Sequence, residues 1–218
     1  MIAERLLILV PTEYELKHLK PHLARLVADM SAVIAVCGFG PITSGICATR
    51  LINLHTPDSV VLVGIAGSLH PDLRIGMASG FSSIGCYGIG AGSGSEFQTA
   101  AELGWNQWAD SDSLQTFDDT IQIRNTFEDA VADAPMLLTV CAASANAADV
   151  SDRLYRFPHA VAEDMESFSV AVACRMADIP LTVIRGISNM AGDRNKANWD
   201  VATALKAAAG LTVARAMQ

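Results

Sequence analysis

Charge is scarce in this chain, and positive charge is scarcer. Lys and Arg contribute 15 of 218 residues and Asp and Glu 23, so the net charge is 15 − 23 = −8 and only 17% of the chain is charged, against roughly 25% in an average soluble domain. A hydrophobic share of 51% with so little charge excludes a natively disordered chain. The acidic balance excludes a general nucleic-acid or anionic-membrane binder. Paired cysteines are missing: Cys37, Cys47, Cys86, Cys141 and Cys174 are scattered, with no C-x-x-C and no secretory leader before the first apolar run. That pattern reads as reduced thiols in a cytoplasmic protein. A membrane span is missing too, because the one long uncharged stretch, Ile75 to Ser95, is loaded with glycine and serine and lacks the apolar density a span needs.

Familiar catalytic signatures are also absent. There is no G-x-x-x-x-G-K-[ST], no H-E-x-x-H and no G-x-S-x-G, which removes the phosphate loop, the zincin pair and the serine-hydrolase elbow. His18 and His22 are four residues apart on one helix face, but with no third ligand nearby they read as solvated surface residues, and no metal or cofactor is implied. Gly38-Phe39-Gly40 follows a strand, yet Thr43 stands where a dinucleotide fingerprint needs its third glycine. The plainer reading is a tight turn that lets backbone approach a ligand closely.

What is present is an alternation of strands and helices. Apolar runs at Leu6–Val10, Val33–Cys37, Ser59–Val63, Met136–Cys141 and Leu181–Ile187 predict strands, and Met77 to Tyr87 holds another. Helical spacing predicts helices from Thr12, with Leu16, Leu19, Leu23 and Leu26 inward, over Pro41–Leu54, Ala147–Tyr155 and Ser167–Ala177, and from Trp199 to Ala216. The expected fold is α/β: one domain over residues 1–218, with a mixed, mostly parallel twisted sheet flanked by helices. Residues 85–128 fit the alternation poorly and are expected to be loop-rich. Ligands of such sheets sit at the carboxyl ends of strands, which directs attention to Thr12–Glu15, Gly38–Ser44, Gly64–Gly67 and Ser188–Arg194.

Two carboxylates in or near those segments have ordinary structural readings. Glu15 lies three residues after Thr12, the S/T-x-x-E capping box. Glu166 adjoins an apolar helix, where a first-turn acid is favoured by the helix dipole.

Taken together, four blocks carry a resemblance to the purine nucleoside phosphorylase and nucleosidase superfamily. They are Leu9-Val10-Pro11-Thr12-Glu13-Tyr14-Glu15, Cys37-Gly38-Phe39-Gly40-Pro41, Val63-Gly64-Ile65-Ala66-Gly67-Ser68-Leu69, and Val161 through Met165-Glu166 to Arg185-Gly186-Ile187-Ser188-Asn189. Within it, Ser188-Asn189, Asp193-Arg194 and Trp199-Asp200 resemble futalosine hydrolases, nucleosidases of an alternative menaquinone pathway. The resemblance implies that Glu15 activates water, that Glu166 binds ribose hydroxyls with Met165 beneath the sugar, and that Asn189 reads the base. Gly67 and Asn146 are further substrate-binding candidates, Phe39 is a candidate for stacking, and Arg185 and Arg194 are the cations nearest the site. It also implies a nucleoside substrate and a homo-oligomer.

Asn189 stands where adenine-cleaving relatives carry aspartate. An amide offers one donor and one acceptor together, which suits a 6-oxopurine such as hypoxanthine; its plainer role is to cap the following turn. Leu62 and Ile65 stand where phosphorylases of the superfamily carry arginine and a hydroxyl residue, so water is favoured over phosphate as nucleophile. The competing readings are a methylthioadenosine/adenosylhomocysteine nucleosidase, a phosphorylase, a nicotinamide-dependent dehydrogenase and a non-catalytic nucleoside-binding module.

Overall fold

The computed structural model describes residues 5–109, 116–124 and 135–217. Strand β1 (Leu6–Val10) is buried on both faces and ends at Pro11, which has no amide hydrogen for a ladder. Thr12 then caps helix α1 (Glu13–Asp29) by accepting a hydrogen bond from the Glu15 amide, and Leu19, Leu23 and Leu26 turn inward. The chain continues through β2 (Val33–Val36), α2 (Pro41–His55), β3 (Ser59–Ser68), β4 (Ala78–Phe81) and β5 (Ser83–Tyr87). It then forms β6 (Thr120–Gln122), β7 (Met136–Val140), α3 (Ala147–Arg156), β8 (Ala160–Asp164), α4 (Ser167–Met176), β9 (Leu181–Met190) and α5 (Val201–Ala216).

These nine strands make one sheet in the order β6-β5-β7-β8-β3-β1-β2, with β9 pairing β3 and β4. The pairings β5–β6, β3–β8 and β4–β9 are antiparallel and the rest parallel, so the mixed sheet flanked by helices is as expected. Alternation along β1 divides the core. Leu7 and Leu9 join the cluster under α2 and α4, while Leu6, Ile8 and Val10 join the cluster under α1 and α5.

The structure corrects the sequence reading in four places. Gly64–Gly67 lies inside β3, which runs past its apolar segment to Ser68. The Met77–Tyr87 stretch is two strands rather than one. Strand β8 was not anticipated, because Glu163 and Asp164 interrupt its apolar character and are nevertheless buried. Helix α5 starts at Val201, since Asp200 caps it by accepting the Thr203 amide. Between residues 85 and 128 there are short antiparallel pairs, Gly90–Ala91 with Gln98–Thr99 and Trp108–Ala109 with Thr116–Phe117. Residues 110–115 and 125–128 of that stretch lie outside the described residues.

All five cysteines are free, and burial pushes the thiols of Cys37, Cys86 and Cys174 up to about 12, where they are not nucleophiles. Among the described residues, no helix is long and apolar enough to cross a membrane.

Candidate active site

The site lies where β3 outruns β1. Leu9 still pairs with Leu62, but Pro11 ends β1 and the first turn of α1 takes over. The Glu15 side chain accepts the Ile65 amide at 3.0 Å through Oε1 and the Thr12 hydroxyl at 2.6 Å through Oε2. Only half of a capping box therefore forms: Thr12 caps the helix, whereas the Glu15 carboxylate turns to the sheet. A carboxylate thus occupies the place of a missing strand.

Beneath it, Arg185 sits in the middle of β9 with no exposure. A buried guanidinium needs paired and hydrogen-bonded partners. Asp164 provides them for two of its nitrogens, its Oδ2 accepting Arg185 Nη2 at 2.6 Å and Nε at 3.0 Å, while Nη1 has no hydrogen-bond partner among the described residues. Asp164 also accepts from the hydroxyls of Thr139 and Ser167 and from the Ser167 amide at the start of α4. Asp164 therefore caps α4, and Glu166 is released from that duty.

Glu166 instead accepts the Gly40 amide at 3.1 Å and approaches Arg185 Nη2 at 3.5 Å. Gly38 and Gly40 both have positive φ, so the Gly38-Phe39-Gly40 turn aims an amide at this carboxylate. Burial, with the neighbouring Asp164 charge, pushes the Glu166 carboxyl up to about 7 against the opposing pull of Arg185 and the Gly40 amide. Two buried carboxylates thus pair with one guanidinium, with Glu15 close by and bound to Thr12 and Ile65 instead. The space that allows this is Gly64, where an added methyl would strike the Arg185 guanidinium and come within 2.7 Å of Glu15 Oε1.

The third wall comes from a bulge. Register between β3 and β9 shifts between Ile187 and Asn189, so strict alternation fails and both Ser188 and Asn189 face the cavity. The Asn189 Oδ1 accepts the Ser188 hydroxyl at 2.8 Å, and Nδ2 donates to the Met190 carbonyl at 2.9 Å. One N–H and one lone pair of the amide are left for a ligand.

The resulting cavity holds about 350 Å³, within the size range of small-molecule sites. Glu15, Phe39, Gly67, Met165, Glu166, Asn189 and Arg194 all line it. Two other predicted site residues do not. Arg185 is sealed below the cavity by its carboxylate partners, and Asn146 caps α3 by accepting the Asp149 amide. The Asn146 carbonyl packs against Gly192, tying the loop after β7 to the loop after β9.

Sequence reasoning missed Tyr14, Ala143, Lys196 and Trp199 as lining residues. Lys196 is two positions beyond Arg194, a signal available in the sequence. Ala143 had none, because its place is set from a distance: Glu163 accepts the Ser144 amide at 2.8 Å and its hydroxyl at 2.6 Å, and Arg153 donates to the Ser144 hydroxyl and the Ala142 carbonyl.

Residues 5–78 and 129–216 match the family model of the phosphorylase superfamily. The chain belongs to the phosphorylase superfamily. The superfamily member resembles Streptomyces coelicolor futalosine hydrolase, with 29% identity over 150 residues, 69% of this chain and 61% of that protein, so the match falls short of the relative's full length. It also resembles the 5'-methylthioadenosine/S-adenosylhomocysteine nucleosidase of Chromohalobacter salexigens, with 26% identity over 164 residues, 75% of this chain and 68% of that protein. In three dimensions it is similar to Helicobacter pylori futalosine hydrolase, with a TM-score of 0.77 and 16% identity, covering 98% of this chain and 97% of that one. At that identity the likeness speaks for the superfamily fold.

Proposed function

We propose that this chain hydrolyses the N-glycosidic bond of a 6-oxopurine nucleoside. Futalosine is the leading substrate, giving hypoxanthine and dehypoxanthine futalosine in menaquinone biosynthesis. The observation that carries the reading is the convergence of Glu15, Met165, Glu166 and Asn189 on one cavity. Glu15, oriented by the Ile65 amide and the Thr12 hydroxyl, takes a proton from water as it attacks the anomeric carbon. Glu166 accepts hydrogen bonds from the ribose hydroxyls, and the carboxylate-rich floor offsets the positive charge that develops on the sugar. Met165 packs beneath the ring and Phe39, exposed at the mouth, is the aromatic residue available to the base. The free Asn189 N–H and lone pair engage the base, stabilising the departing hypoxanthine without transferring a proton to it; solvent supplies that proton.

Water rather than phosphate as nucleophile is supported by Leu62, buried within the core, and by Ile65, which has no hydroxyl and whose amide is taken by Glu15. A second reading, a methylthioadenosine/adenosylhomocysteine nucleosidase, is favoured by the longer alignment with such an enzyme. Assembly of the chain into a homo-oligomer in the cytoplasm belongs to the same proposal and is read by light scattering.

The test is chromatographic detection of free base from futalosine, inosine and methylthioadenosine, each with and without phosphate. Hypoxanthine from futalosine with no need for phosphate is expected, and Glu15→Gln should lower kcat by roughly 10²- to 10⁴-fold. Adenine from methylthioadenosine selects the second reading, phosphate-dependent release from inosine selects a phosphorylase, and no release at all selects a binding module.

A further inference from the structure

One wall of the cavity has no hydrogen bond of its own. Ala143 lines it, yet among the described residues neither its N–H nor its carbonyl has a hydrogen-bond partner. The flanking residues fix it instead. The Ala142 carbonyl accepts Arg153 Nη2 at 2.6 Å, and the Ser144 hydroxyl accepts Arg153 Nη1. Glu163 accepts the Ser144 amide at 2.8 Å and the Ser144 hydroxyl at 2.6 Å. Arg153 and Glu163 close the clamp on each other, with Nε 3.5 Å from Oε2.

Neither member of this pair lines the cavity, and both are buried, at 6% and 4% exposure. Stability alone is a poor reason to bury an ion pair, because apolar side chains of the same volume are often as stable. Its hydrogen bonds serve the loop after β7: the Ala142 carbonyl and both polar groups that Ser144 turns inward end on it. The guanidinium is seated in turn on the end of β5 and the segment that follows. Arg153 lies over the Tyr87 ring, 5.4 Å from its centre, and Tyr87 packs on Phe97 with ring centres 4.7 Å apart. One turn further along α3, Arg156 donates to the Glu102 carboxylate at 2.7 Å and to the Ser95 carbonyl at 3.1 Å. Helix α3 is thus pinned to that segment, and Arg153 reaches from it to the loop.

We propose that Arg153 and Glu163 are positioning residues for nucleoside binding, holding Ala143 against the ligand from outside the cavity. This rests on the nucleosidase reading above and adds two residues that act on the substrate through the loop after β7.

The decisive variant is the double substitution Arg153→Met, Glu163→Leu, which removes both charges together and strands neither. Its urea midpoint should stay near that of the wild type. KM for whichever of futalosine, inosine and methylthioadenosine the wild type cleaves should rise roughly tenfold, with kcat within about threefold. Hydrogen exchange of the Ser144 amide should quicken by roughly tenfold while amides of β3 and β9 keep wild-type rates. A folded double variant with wild-type KM overturns the proposal, and so does a Ser144 amide that exchanges no faster. If the double variant does not fold, Arg153→Lys decides. Lysine keeps the charge beside Glu163 but cannot reach the Ala142 carbonyl and the Ser144 hydroxyl together, so KM should again rise, and an unchanged KM overturns the proposal. A wild type that releases no base from any of the three nucleosides rejects the parent reading instead, and the exchange measurement then decides by itself whether the pair holds the loop.

Discussion

The two ends of the cavity are built in opposite ways. The floor draws Glu15, Asp164, Glu166 and Arg185 from α1, β8, the start of α4 and β9, and buries all four. The mouth is formed by Tyr14, Phe39 and the loop between β9 and α5, which is held by its own hydrogen bonds and exposed at Arg194 and Lys196. Charges on the floor are locked by the sheet, so altering one disturbs its neighbours and the fold. Charges at the mouth are exposed and form no ion pair among the described residues, so each can be altered with little effect on the fold.

The sharpest way to break the floor is Asp164→Ala, which strands a fully buried guanidinium. A loss of roughly 3–5 kcal/mol is expected, read as a large drop in the urea midpoint, whereas Lys196→Met should leave that midpoint within about 0.5 kcal/mol of wild type. A wild-type-like midpoint for Asp164→Ala would erase the contrast between the two ends.

Glu166 gives a second contrast. Its folded carboxyl is raised to about 7 from 4.5, so the native state holds a proton that the unfolded chain releases. Its contribution is fully present below about pH 4.5 and is lost as pH rises through 7, a swing of about 3 kcal/mol. Unfolding curves between pH 5 and 8 should show this downward slope in the wild type and lose it in Glu166→Gln. In the proposed role of Glu166 the ribose hydroxyls donate to the ionised carboxylate, so KM for a nucleoside should fall over the same interval.

The smallest expected effect lies on the wall between the two ends. Ser144→Ala removes the hydroxyl shared by Glu163 and Arg153 but keeps the Ser144 amide on Glu163. A cost of about 1–3 kcal/mol is expected, with KM raised through Ala143 more than kcat is lowered. An unchanged KM would show that the loop after β7 does not meet the ligand.

Legibility follows the same division. β1, α1, α2, α3 and α4 were readable because their apolar spacing and caps are local; Pro11 and Thr12 mark a boundary within two residues. Glu15, Glu166 and Asn189 were readable only through the pattern of blocks that they belong to, since alone each has a capping role. What escaped depends on partners distant in the chain. β8 carries two acids, a poor strand signal, and becomes a buried strand because Arg153 and Arg185 arrive to neutralise them. Arg185, expected to face substrate, is held below it for the same reason. The continuation of β3 through Gly64 and Gly67 is hidden because glycine is a weak strand former, here required by what presses against it.

Gly64 also limits how the protein can change. Alanine is the least substitution the position can receive, and its methyl would already contact both the arginine that balances the floor and the carboxylate assigned to water. Nothing at this position tunes the site by degrees. A lineage can vary the exposed loop between β9 and α5 one residue at a time, but at the centre of β3 it meets a cliff, with a single hydrogen atom on the near side and a disassembled charge network on the far side.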